Sequence, residues 1–185
     1  MRCAAVRPTG DCLMRTTTTS VTLQSVAAAD RQVVANLLQL YLHDFSEFAA
    51  VGTDHGEVLA DGRFAYDWLD AYWQQDGRFP FTLHADGRLA GFALVNRWSA
   101  LDRPVEQSVA EFFVLRKYRR AGIGSAAARR LFGDFGGRWE VPVAWYNAPA
   151  LAFWRRAIPP AADGPVEEVA GDGVRWSGPV LCFRV

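Results

Sequence analysis

One stretch limits what this chain can fold into more than any other: Glu111 to Ser125, EFFVLRKYRRAGIGS. An apolar, strand-like run from Phe112 to Leu115 leads into a basic patch of Arg116, Lys117, Arg119 and Arg120. Gly122 and Gly124 then open an alanine-rich helical segment, Ser125 to Phe135. Strand, cationic turn, glycines and helix in that order build an anion cradle. The first N–H groups of a helix have no intrahelical partner and carry the positive end of the helix dipole, so they favour phosphate oxygens. Glycine lets backbone approach such a ligand closely and adopt positive φ.

Two common phosphate-binding designs fit poorly. A P-loop needs a glycine, four residues, then Gly-Lys-Ser/Thr, and that spacing is absent. A dinucleotide fingerprint matches Gly122, Gly124 and Ala127 in number, yet its first glycine should end the strand, and here six residues separate Leu115 from Gly122. The acid expected about 20 residues on is also missing, because Glu140 precedes a strand instead of following one. A plainer alternative is a helix entry with a glycine turn and solvated arginines.

The rest of the chain frames this loop. Its 185 residues suit one domain with a substantial core, assigned to 21–185. Apolar residues make up 50% and charged residues 22%, a globular balance. Twenty basic and twenty acidic residues cancel, which argues against a surface that coats nucleic acid. No apolar run is long enough to span a bilayer, and the N-terminus lacks the apolar core of a secretory signal. Cys3, Cys12 and Cys182 are odd in number and unclustered, which suits a reducing cytoplasm. His43, His55 and His84 are scattered, so no metal site is expected. Residues 1–20 show no periodicity and read as an unstructured extension, with Met14 as a second candidate start.

Hydrophobic periodicity supplies the remaining elements. Val21 to Val26 reads as a half-buried strand and Ala28 to Ala50 as an amphipathic helix with Val34, Leu37, Leu38, Tyr41, Phe45 and Phe48 on one face. A second helix is expected from Phe64 to Gln75, with Trp68, Leu69, Tyr72 and Trp73 on one side. Strands Phe79 to His84 and Leu89 to Trp98 flank an Asp86-Gly87 hairpin turn, and a third strand ends in the opening stretch. After its helix come a strand from Trp139 to Trp145, a short helix from Pro149 to Ile158, and strands near Val166 to Ala170 and Val180 to Val185. Pro142 cannot donate to a ladder, so it belongs where pairing fails.

The spacing Arg119-x-x-Gly122-x-Gly124 resembles the Arg/Gln-x-x-Gly-x-Gly/Ala pyrophosphate loop of the GNAT superfamily of N-acetyltransferases. A second motif agrees: Asn147-x-x-Ala150-x-x-Phe153-Trp154 resembles the Asn-x-x-Ala-x-x-Leu/Phe-Tyr segment that follows the family's fifth strand. The runs FFVLRKYRRAGIG, WEV and FWRR look like those of a bacterial subgroup of acetyltransferases. The resemblance covers the chain from about Val21 onward. It implies an α+β fold, with a mainly antiparallel mixed sheet splayed between its fourth and fifth strands and helices on both faces.

Residue by residue, the resemblance implies a set of acetyl-CoA contacts. Phe112, Phe113 and Val114 match the strand beside the pantetheine arm. Arg119 and the loop Arg120, Ala121, Gly122, Ile123, Gly124 and Ser125 match the pyrophosphate loop. Asn147 matches an asparagine bonding the pantetheine arm, although a residue just before Ala148-Pro149 also suits a helix cap. Trp154 stands where the family commonly has a tyrosine that protonates the departing thiolate, and an indole is no comparable acid.

The implied chemistry is direct attack of an amine on a thioester in a ternary complex. It requires that both reactants be positioned, the amine unprotonated and the developing oxyanion stabilised. Glu111 is the candidate base or water anchor, Tyr146 a candidate proton donor and Glu140 a weaker candidate, with solvated or structural roles as the alternatives. Tyr41, Asp44, Glu47, Tyr66 and Trp98 fall in the region where the family binds its acceptor. The expected partners are acetyl-CoA and an unidentified amine, and a homodimer is compatible with this reading. The competing functional class is a non-catalytic acyl-CoA-binding domain that retains the cradle alone.

Overall fold

A computed structural model of the protein describes residues 19–53 and 56–185. The N-terminal extension expected over 1–20 therefore lies outside the described residues up to 18. Ser20 already exchanges hydrogen bonds with Asp86, which accepts at its carboxylate and donates from its backbone.

Strand β1 (Val21–Ser25) is followed by helix α1 (Arg31–Phe45), which single 3-10 turns extend at each end, Ala28–Asp30 and Ser46–Phe48. Helix α2 (Ala71–Gln74) is one turn long. Then come β2 (Phe79–Ala85), β3 (Arg88–Asn96), β4 (Gln107–Val114), α3 (Ile123–Asp134), β5 (Arg138–Pro142), α4 (Ala148–Ala157), β6 (Glu167–Ala170) and β7 (Pro179–Arg184). The strands form one sheet in the order β1-β2-β3-β4-β5-β7-β6, antiparallel except for the β4–β5 pair. This is the mixed, mainly antiparallel α+β arrangement expected. At the β2–β3 hairpin Asp86 and Gly87 both have positive φ, the backbone a two-residue turn of matching twist requires.

The helix expected over Phe64 to Gln75 shrinks to α2. Its N-terminal half has other hydrogen-bonding duties: Phe64 receives a bond at its carbonyl from the Gln39 side chain and donates its N–H back to it. Phe64 also bridges Val58 as a short antiparallel pair. Backbone groups committed across the chain are not free for a helical ladder. Trp68 consequently stays mostly exposed, while Tyr72 reaches the core.

The two faces of the sheet are covered by different helices. Phe113 meets Tyr41 of α1 edge-on at 5.8 Å between ring centroids, whereas Phe112 meets Trp154 of α4 at 5.0 Å. Phe132 of α3 packs against Trp139 and Phe183 on the α4 side. Large apolar side chains (Leu38, Phe92, Leu94, Leu131, Phe132, Trp139) are fully buried between these layers. Burying each is worth about 1.5–3 kcal/mol relative to exposure.

Two local irregularities open the sheet and aim its side chains. β4 and β5 pair only at Gln107–Trp139 and Ser108–Glu140, and beyond that they separate. Pro142 sits past this point. Its neighbour Val143 donates to Pro179 on the β7 side, so alternation along the strand turns the missing N–H of Pro142 toward the gap. The second irregularity is a bulge in β4. Leu94 pairs with Glu111 and Val95 with Val109, leaving Ala110 unpaired. The extra residue shifts the alternation, so Ser108, Glu111 and Phe113 all share the α1 face.

Candidate active site

The loop between β4 and α3 presents a row of donors. Gly122 caps α3 with φ 77°, a left-handed conformation that suits glycine, and Arg120 adopts φ 60°. The first helical bond runs from the Ala126 N–H to the Gly122 carbonyl. Among the described residues, no N–H from Arg120 through Ser125 donates to a protein acceptor. A side chain built on Gly122 would project into open space, whereas one on Gly124 would meet Phe153 at 3.2 Å. Gly122 thus keeps the cradle open, and Gly124 lets α3 close onto α4.

Arg119, expected to face a ligand, has structural partners as well. Its Nε donates to the Val114 carbonyl at 2.7 Å and its guanidinium pairs with Asp44 of α1. Arg116 joins the same carboxylate at 2.6 Å. Burial works against the Asp44 charge, but the hydrogen bonds from Arg116 and Arg119 outweigh it and hold the carboxyl below its usual range. The three residues tie the end of α1 to the cradle. Arg120 makes no ion pair among the described residues.

The open lip of β4 supplies the next group. Leu115 donates to Ala90 on the β3 side, so the alternation turns the backbones of Phe112 and Val114 toward the gap and that of Phe113 toward β3. Phe113 therefore contributes its ring, beneath the Arg119 guanidinium at 5.5 Å from the centroid. Phe112 stacks on Phe153 and meets Trp154 edge-on.

Glu111, on the opposite side of the strand from Phe112, accepts hydrogen bonds from the Tyr41 and Tyr66 hydroxyls, the latter at 3.0 Å. Neither partner is a cation. Removal from water pushes its pKa up to about 7, and the two phenolic hydrogen bonds only partly counter that. Both phenols are raised in turn, first by burial and then by the neighbouring carboxylate. Each carboxylate oxygen has one bond and spare acceptor capacity, so the group can hold a proton near neutral pH.

The remaining expected residues divide. The Asn147 side chain accepts from the Ala150 N–H at 3.0 Å and so caps α4; its amide nitrogen remains available for another acceptor. Trp154 is 5% exposed and lines the cleft beside Phe112. Tyr146 leans on Phe48 at 5.4 Å, and its pKa is raised by burial and then by the Glu111 charge. Ile123 is buried beneath the loop, so it can offer its amide but not its side chain.

Glu140 belongs elsewhere. It is fully buried and accepts from Ser99 Oγ at 2.9 Å, the Ala100 N–H at 2.7 Å and Arg103 Nε at 3.4 Å, which pins the 97–106 loop. Trp98 packs on Trp176 under Arg175, away from the cleft. Sequence reasoning missed the Asp44 tie and the place of Phe45, Phe48 and Arg156 in the cleft wall. Their only signal was the amphipathic spacing of the two helices.

These groups surround one cleft of about 500 Å³. Its lining runs from Tyr41, Phe45 and Phe48 past Phe112, Asn147 and Trp154 to Arg120, Gly122 and Ser125. An open polar cradle at one end and a phenol–carboxylate pair at the other can hold an anionic carrier and manage a proton in one space.

Known proteins share this architecture. The family model described as "Acetyltransferase (GNAT) family" matches residues 35–158. An acetyltransferase from Thermus thermophilus superposes with a TM-score of 0.57 at 16% identity, covering 89% of this chain and 95% of that one. The GNAT domain of PAT from S. lividans gives 0.57 at 15% identity over 88% and 89%. PaiA N-acetyltransferase from Thermoplasma acidophilum, solved in complex with coenzyme A, gives 0.56 at 10% identity over 90% and 99%. Comparison with curated proteins finds no match. No helix among the described residues is long and apolar enough to cross a membrane. With its family model matched over most of the chain and its sheet splayed beside an amide-lined loop, this protein belongs to the GNAT family of acetyltransferases.

Proposed function

We propose that the protein is an acetyl-CoA-dependent N-acetyltransferase that passes the acetyl group directly to an amine bound beside it. One observation carries this reading: the unpartnered amides from Arg120 to Ser125 open on the same cleft as Tyr41, whose hydroxyl is bonded to Glu111. The PaiA structure solved with coenzyme A shares this fold, which supports the same ligand here.

Acetyl-CoA supplies the thioester; the amine nitrogen bonds to its acetyl carbon, the carbon–sulfur bond breaks and the electron pair leaves on sulfur. The loop amides and Arg120 hold the pyrophosphate, and the Asn147 amide and the Phe112 and Val114 backbones hold the extended arm. Glu111 takes the amine's proton through the Tyr41 hydroxyl, which faces the cleft while the carboxylate lies behind it. Trp154 shapes the slot for the sulfur. A thiol ionises near pH 8.5, so the thiolate leaves without an acid of its own.

Release of free thiol from acetyl-CoA across a panel of amines tests the reading. Turnover with at least one amine is expected. Gly122→Val, with a strained left-handed φ and a side chain in the open cradle, should weaken acetyl-CoA binding at least about tenfold by calorimetry. Binding without thiol release for any amine would make the chain a non-catalytic acyl-CoA-binding domain, and unchanged affinity in a folded Gly122→Val would remove the cradle from the account.

A further inference from the structure

The α1 side of the cleft is built of rings. Tyr41 leans on Phe45 at 4.6 Å between centroids, Phe45 meets Phe48 edge-on at 5.8 Å, and Phe48 lies against Tyr146 at 5.4 Å. Tyr146 in turn meets Trp145 at 5.5 Å, and Trp145 is 72% exposed. The chain of rings starts at the phenol that holds Glu111 and ends at an uncovered indole. It crosses from α1 to the β5–α4 connection and so bridges the two lips of the splayed sheet.

The charges around this wall do not suit a polycation. Asp44 is neutralised by Arg116 and Arg119. Glu47 is the one acid lining the cleft that no ion pair occupies among the described residues, and Arg119, Arg120 and Arg156 line it too. With Arg119 paired to Asp44 and Arg120 assigned to the pyrophosphate, a ligand with several ammonium groups would find one free acid there, Glu47, beside the phenol–carboxylate pair. A single amine on a short arm, attached to a flat apolar ring, would meet the phenol–carboxylate pair with its nitrogen and the rings with its body.

Resting on the transferase reading, we infer that the acceptor is a primary monoamine carrying an aromatic ring, seated on the wall formed by Phe45, Phe48, Tyr146 and Trp145. The wall sets specificity through offset and edge-on ring contacts, which flat apolar partners satisfy and linear polyamines do not.

The test compares 2-phenylethylamine, n-butylamine and spermidine as acceptors with the full-length protein and acetyl-CoA. Phenylethylamine should exceed both others by at least about tenfold in kcat/KM. Phe48→Ala and Trp145→Ala should each raise its KM about fivefold and leave that of n-butylamine within about twofold. Equal or better turnover of spermidine or n-butylamine would overturn the inference and leave the transferase reading intact. If no amine releases thiol, the transferase reading fails, and calorimetry on CoA-saturated protein then decides the site. Phenylethylamine binding more tightly than n-butylamine upholds the ring wall, and equal or absent binding overturns it.

Discussion

Glu111 and Glu140 lie on adjacent strands and on one face of the sheet, yet their surroundings oppose each other. Glu140 sits where β4 and β5 are still paired, and it meets a hydroxyl, a backbone N–H and an arginine. Glu111 sits past the point of separation with two phenols and no cation. Buried charges that serve structure are paired and hydrogen-bonded, because an unpaired one costs several kcal/mol. A carboxylate left without a cation is instead poised to exchange a proton. The difference between these two glutamates separates the part of the sheet that holds the fold from the part that can do chemistry.

The sharpest way to break that contrast is to neutralise each acid in turn. Glu111→Gln should lower kcat by about 10²–10⁴-fold, the usual worth of a positioned base, and leave acetyl-CoA affinity within about twofold. Wild-type kcat/KM should rise with pH through an inflection near 7, where the Glu111 carboxyl ionises, and the variant should lack that limb. A variant as active as wild type across this range would make Glu111 structural. Glu140→Gln should behave the other way. It should cost about 3 kcal/mol in urea unfolding, because one partner of a buried network is lost, while the folded protein keeps kcat within about twofold.

Stability against pH gives a finer version of the same contrast. The folded-state pKa of Glu111 lies near 7 against an ordinary 4.5, so the native protein binds this proton more tightly than the unfolded chain. The sign is therefore the reverse of a salt-bridged acid. The group costs nothing below about pH 4.5, an increasing amount as pH rises to 7, and a constant amount above, about 3 kcal/mol in order of magnitude. Glu111→Gln should thus be more stable than wild type at pH 8 and equal to it at pH 4. A variant less stable than wild type at pH 8 would show that the charged carboxylate is held favourably.

The smallest effects concern the departing sulfur. Trp154→Phe should keep turnover within about threefold, and Tyr146→Phe within about twofold, because thiolate departure without an acid asks nothing of either group. Loss of turnover in a folded Tyr146→Phe that still binds acetyl-CoA would assign the proton to that phenol.

Legibility in the sequence followed contact range. The cradle could be read because strand, loop, glycines and helix are contiguous between Glu111 and Ser125, and the Asp86-Gly87 turn was readable for the same reason. The partners of Glu111 were not, since Tyr41 and Tyr66 stand 70 and 45 positions away. Arg119 read as a ligand contact because nothing local reveals Asp44, 75 positions off. The helix expected from Phe64 failed on one distant side chain, Gln39, and Glu140 read as a chemical group because the Ser99–Arg103 loop that it pins lies far back in the chain. The phase shift at Ala110, which aims Glu111 at α1, leaves no mark in composition at all.

Pro142 has a further consequence. A sheet that opens in its middle acquires an inner pair of edges, and free strand edges invite stray partners, including the same segment of another molecule. The two lips here are unequal. β4 offers the amide and carbonyl of Phe112 to the gap, whereas β5 meets the gap at a residue with no N–H to give. An extended guest can add to one lip but cannot be zipped on both sides, and the lips cannot zip to each other. One imino acid thereby removes a donor from one lip and leaves the opening receptive along a single rail.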